Sequence, residues 1–124
     1  MKIEAERWWK QAESDLETAE FNLNGRRLSA AAFYIQQSVE KALKALYLEM
    51  FSELLKTHNI VFLAGKLNLP ENLIKICDNI NPIYTATRYP DSAEFIPEEN
   101  LFEEDLKMML EGAQEILKWI KKRL

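Results

Sequence analysis

The sequence predicts an all-α protein, an up-and-down bundle of three long and two short helices of the four-helix-bundle type. Three observations lead there. The 124 residues hold only three Gly and four Pro. β-Branched runs of the kind that build strands are nearly missing. Apolar residues instead recur at steps of three and four through long stretches free of Gly and Pro.

The first helix is expected from Ile3 to about Leu23, with Ala5, Trp8, Trp9, Ala12, Leu16, Ala19 and Leu23 on its apolar stripe. One of the two adjacent Trp should enter the core and the other lie against a neighbouring helix or subunit. Asn24-Gly25 is the expected stop, because Gly takes a left-handed conformation past a helix end at little cost. The connection through Arg26 and Arg27 is short, so the first two helices should run antiparallel.

The second helix, Leu28 to Phe51, is the centre of the chain. It is rich in Ala, Leu, Glu, Lys and Gln, the strong helix formers. At about 100° per residue, Leu28, Ala32, Ile35, Val39, Leu43, Leu46 and Met50 fall on one narrow side that can seat in a core. Phe33, Gln37, Glu40, Lys41, Lys44 and Leu48 share the other side. A helix with apolar groups on both sides is packed on both sides, and buried charges need partners. The expectation is that this second side meets something other than the chain's own interior.

Ser52 to Lys56 is a polar break. Thr57 is the expected N-cap of a short helix through His58-Asn59-Ile60-Val61-Phe62-Leu63-Ala64 that ends near Asn68. Pro70-Glu71 opens a fourth helix, with Leu73, Ile74, Cys77 and Ile80 as its apolar side and Asn81-Pro82 as its close. Residues 82–97 show neither helical nor strand periodicity. A loop of that length in a small domain tends to be functional, and Ile83, Tyr84, Tyr89, Phe95 and Ile96 can pin it to the body. The last helix opens at Pro97-Glu98-Glu99 and runs to the terminus. Its early acids and its late Lys118, Lys121, Lys122 and Arg123 are the arrangement that a helix dipole favours.

Composition narrows the function classes. The length suits a single domain spanning residues 1–124. The net charge of −4 argues against broad attraction to DNA. One cysteine, Cys77, cannot form an intrachain disulfide and reads as a small buried hydrophobe. No apolar run is long enough to span a membrane, and the acidic N-terminus does not read as a signal peptide; the expected location is the cytoplasm. There is no Gly-rich phosphate loop, no metal-ligand spacing and no nucleophile elbow, so neither a metal nor a cofactor is expected. His58 is the only histidine. It and Arg88, in Thr87-Arg88-Tyr89-Pro90-Asp91, are the candidates for acid–base chemistry and anion contact.

Taken in order, RWWKQAESDLETAEFNL, a Gly-broken turn, AAAFYIQQSVEKALKALYLEM, KTHNIVFLAGKL and YTATRYPD resemble the HEPN domain family of bacteria and archaea. The resemblance spans nearly the whole chain. It implies a small helical bundle that commonly dimerises and is often encoded beside a minimal nucleotidyltransferase, the two forming a toxin–antitoxin-like module. It also implies nucleotide or RNA binding. Many members are metal-independent ribonucleases acting through an Arg followed, four to six residues later, by a His. Here the positions where that Arg would precede His58 hold Phe51, Ser52 and Glu53, so the ribonuclease motif is absent.

Three readings follow. In the first, a HEPN-like binding module uses Gln37, Lys41, Lys44, His58, Tyr84, Arg88, Tyr89 and Asp91 to hold a nucleotidyltransferase-type partner, a nucleotide or RNA. Gln37, Lys41 and Lys44 would hold phosphate or a carboxylate-bearing partner, Arg88 would grip phosphate, and Tyr84 or Tyr89 would stack on a base. In the second, His58 and Arg88 make a ribonuclease. In the third, the polar side of the second helix meets its symmetry mate in a homodimer, Lys41 of one chain near Glu40 of the other.

Overall fold

A computed structural model of the protein describes residues 1–84 and 101–124, and among these it forms five helices and no strand. They are α1 (Ile3–Asn24), α2 (Leu28–Phe51), α3 (Ile60–Lys66), α4 (Glu71–Ile80) and α5 (Glu103–Lys121). The expected bundle of three long and two short helices is what forms. Among the described residues, no helix is long and apolar enough to cross a membrane.

The α1–α2 hairpin is the body of the molecule. Ala5, Ala12 and Ala19, one on every second turn of α1, are fully buried, as are Ala31, Ala32, Ala42 and Ala45 of α2. Small side chains let the two helices approach closely. Ser38 Oγ donates to the carbonyl oxygen of Ala12 at 2.8 Å, a bond between a side chain and mid-helix backbone that a wider spacing would not permit. The turn falls where expected, but Gly25 keeps φ at −83° and Arg26 takes the left-handed conformation at φ 60°. A β-carbon in that region costs about 1 kcal/mol, and the bonds from Arg26 N to Leu23 O and from Arg27 N to Asn22 O hold it there.

Ala32, Ile35, Val39, Leu43 and Leu46 lie fully buried on the expected side of α2, while Leu28 is half-buried and Met50 exposed at its ends. Ser52, left-handed at φ 55°, ends the helix. The chain then returns along α2 to start α3. The N-cap is Asn59 rather than Thr57: Asn59 Oδ1 accepts from Val61 N and Phe62 N, both at 3.1 Å. Thr57 Oγ1 instead accepts from Asn59 N, so its polar group fixes the turn one step earlier. α4 buries Leu73, Cys77 and Ile80 as its pattern predicts.

The last helix is first described at Glu103, later than the expected opening at Pro97. Phe102 precedes it in an extended conformation, and residues 85–100 lie outside the described part. α5 runs antiparallel to α1, with Arg26 3.6 Å from Glu103 and Gln114 3.5 Å from Glu20. At its end Arg123 lies 3.6 Å over the Trp119 ring and donates to the Trp119 carbonyl oxygen. That contact caps the negative end of the helix, as the dipole favours.

Candidate functional site

The second side of α2 is covered by this chain itself. Trp8 and Asp15 of α1 and His58 of the returning segment meet it, so the expected outside partner is not what neutralises its charges. Gln36, Gln37, Glu40 and Lys44 are all buried. Positions 36, 40 and 44 stand one turn apart, which brings their side chains together. Gln36 Nε2 donates to Glu40 Oε1 at 2.9 Å, and Lys44 Nζ donates to Glu40 Oε2 at 2.9 Å. Gln37 Nε2 donates to Gln36 Oε1. On the α1 side, Lys41 Nζ donates to Asp15 Oδ2 at 2.7 Å and Gln11 Nε2 to Asp15 Oδ1 at 2.9 Å. The Lys44 ammonium also lies 5.7 Å from the centre of the Trp8 ring. Among the described residues, no buried side-chain nitrogen or oxygen lacks a hydrogen-bond partner.

Glu40 is the hub. Burial alone would raise its pKa, but the bonds from Gln36 and Lys44, the Lys44 charge and His58 outweigh burial and hold the carboxyl below its usual range. His58 Nδ1 stands 3.0 Å from Glu40 Oε2. An ionised carboxylate only accepts, so Nδ1 carries the proton in this contact and Nε2 is the nitrogen left facing outward. The His58 side chain is 49% exposed, making it the open edge of an otherwise closed network. Tyr84 stacks on it, with ring centres 4.2 Å apart and planes 12° from parallel.

Of the residues expected in the site, the structure brings together Gln37, Lys44, His58 and Tyr84 around Glu40. Lys41 sits beside them, tied to Asp15. Arg88, Tyr89 and Asp91 lie outside the described residues, so their part in the site rests on the sequence. The two lysines expected to grip phosphate are each bound to a carboxylate, and their charges are cancelled within the chain. The homodimer reading had Glu40 and Lys41 answering a symmetry mate, and here they are answered by Lys44, His58 and Asp15. Among the described residues, no group of three His, Cys, Asp or Glu could hold a metal ion.

Four participants were missed from sequence: Gln11, Asp15, Trp8 and Gln36. A signal existed for Asp15, an acid lying one turn from both Ala12 and Ala19 inside the apolar stripe. Gln36 and Lys44 flank Glu40 at steps of four, which marks Glu40 as the residue they share.

The HEPN domain family model matches residues 5–124. The chain belongs to the HEPN domain family. Among solved structures, this HEPN domain is similar to TT1696 from Thermus thermophilus, with 28% identity and a TM-score of 0.88 over 99% of this chain and 100% of that one. It is also similar to ST0689, an archaeal HEPN homologue, with 36% identity and a TM-score of 0.82 over 98% of each chain. No curated protein matches it.

Proposed function

We propose that this HEPN domain is a binding module, the helical partner subunit of a minimal nucleotidyltransferase in a two-component, toxin–antitoxin-like system, and that a nucleotide or RNA docks at its His58 edge. The observation that supports this is the His58–Tyr84 stack, anchored through Nδ1 to the buried Glu40. The half-exposed His58 ring carries this stack to the surface, where a base can be added, and stacking is worth about 1–3 kcal/mol per base. Because Lys41 and Lys44 are neutralised, recognition leans on the stack and on His58 Nε2, with Arg88 as the remaining candidate for phosphate.

Calorimetry with ATP, GTP and a short single-stranded RNA tests the ligand, and co-expression with a minimal nucleotidyltransferase tests the partner. Binding tighter than about 1 mM that weakens roughly tenfold in His58→Ala is the expected result. Absence of both affinity and co-purification would sink the proposal.

One feature favours a second reading, a metal-independent ribonuclease. A histidine whose Nδ1 is fixed by a carboxylate offers Nε2 as a general base, and Arg88 would stabilise the phosphorane. RNA cleavage in the presence of a chelator decides it. Activity lost in His58→Ala and Arg88→Ala supports the enzyme, and equal rates in wild type and both variants dispose of it.

A further inference from the structure

α3 and α4 form a unit whose two ends are tied together. His58 stands just before α3 and Tyr84 just after α4, and their rings stack with centres 4.2 Å apart. One step further in, Ile60 N donates to Asn81 Oδ1 at 3.0 Å, joining the start of α3 to the end of α4. These contacts close the unit on itself and involve none of the other helices.

Its ties to α1, α2 and α5 are of a different kind. Ile60, Leu63, Leu73, Cys77 and Ile80 are buried in the shared core, and apolar burial is strong but has no direction. Among the described residues, the one hydrogen-bonded contact between residues 58–82 and those three helices is His58 Nδ1 on Glu40, 3.0 and 3.2 Å from its two oxygens. The chain leading in adds no other. Ser52 is left-handed at φ 55°, and among the described residues no backbone group of residues 53–57 hydrogen-bonds to the bundle. Glu40 is buried and held by Gln36 and Lys44 on its own helix, so the anchor keeps its place whether or not His58 is seated on it.

We infer that His58 is the clasp of a hinged module, residues 58–84. Seated on Glu40 and stacked on Tyr84, it holds α3 and α4 against the α1–α2 hairpin. Its release lets them swing away about residues 52–57 while α1, α2 and α5 stay packed. The clasp lies at the surface, with its side chain 49% exposed, so a group that engages the outward face of the ring acts on the module. This is a property of the free chain and does not depend on the ligand proposed for the same ring.

Cys77, buried in α4, reports the opening. Labelling by a thiol reagent, with reclosing faster than reaction, gives the opening equilibrium, and urea unfolding gives the global one. In the wild type, opening should be the easier of the two. His58→Ala should speed labelling about tenfold, as expected for one hydrogen bond to a charged group that opening breaks. Ser38→Ala is the control. It removes the 2.8 Å bond to the Ala12 carbonyl oxygen inside the α1–α2 hairpin, which opening leaves intact, so it should lower global stability and leave the labelling rate unchanged. A His58→Ala protein labelled at the wild-type rate overturns the clasp. Equal opening and global free energies in the wild type, or a Ser38→Ala protein labelled as fast as His58→Ala, overturn the module.

Discussion

Glu40 holds three partners at once, and its removal should be felt more than that of any other single polar residue. Lys44 is as buried as Glu40, so Glu40→Ala would strand an ammonium in the interior, a change that costs about 3–5 kcal/mol. Urea unfolding measures it, and a loss below about 1 kcal/mol would show that water reaches the pair. The same residue sets an acid limit. Its folded pKa lies below its ordinary value of 4.5, so the native state favours the ionised form. That contribution is fully present above the unfolded pKa and is lost as pH falls below 4.5 toward the folded value. Stability measured against pH should drop through that window in the wild type and more shallowly in Glu40→Gln. Parallel curves would remove Glu40 as the cause. The charge set of α2 was visible in sequence as residue types, but its pairing was not. Helical spacing tells which side chains share a side of α2; it does not say that Asp15, on another helix, arrives opposite Lys41.

At the level of helices, the two glycines inside helices make opposite predictions. Gly112 of α5 faces Ile76 of α4, and an added β-carbon would sit 2.6 Å from Ile76 Cγ2. Gly112→Ala should therefore lower the melting temperature, at a cost of about 1–3 kcal/mol for overpacking. Gly65 in α3 has nothing within 4 Å of such a carbon, so Gly65→Ala should stabilise by about 0.5–1 kcal/mol through helix propensity alone. Equal shifts in the two variants would contradict this account of the α4–α5 contact. Helix boundaries were largely legible because the 3.6-residue period, Asn24-Gly25 and Pro70-Glu71 are local signals. The misses were also local. Gly25 looked like the left-handed residue and Arg26 is, because the turn needs its conformation one residue later. Thr57 looked like the cap and Asn59 is, because both side chains can accept from backbone N–H and only the return of the chain along α2 decides between them.

Across the whole molecule, stability should be uneven. α1, α2 and α5 share the thick part of the core, whereas α3 and α4 are short and lean on each other, with α3 resting on α2 and α4 on α5. Cys77 reports on that division. It is fully buried in α4, and burial pushes its thiol up to about 12, so the folded protein should not react with a thiol reagent until the site opens. If α3 and α4 open as a unit, the opening free energy from labelling kinetics should fall about 1–2 kcal/mol below the global value from urea unfolding. Gly112→Ala, which strains the α4–α5 contact, should widen that gap. Glu40→Ala, which strands the Lys44 ammonium beside Trp8 of α1, should lower the global value more than the labelling value. If labelling and global unfolding instead give one free energy in the wild type and both variants, the five helices open together, and the thin contact between α4 and α2 does not divide the fold.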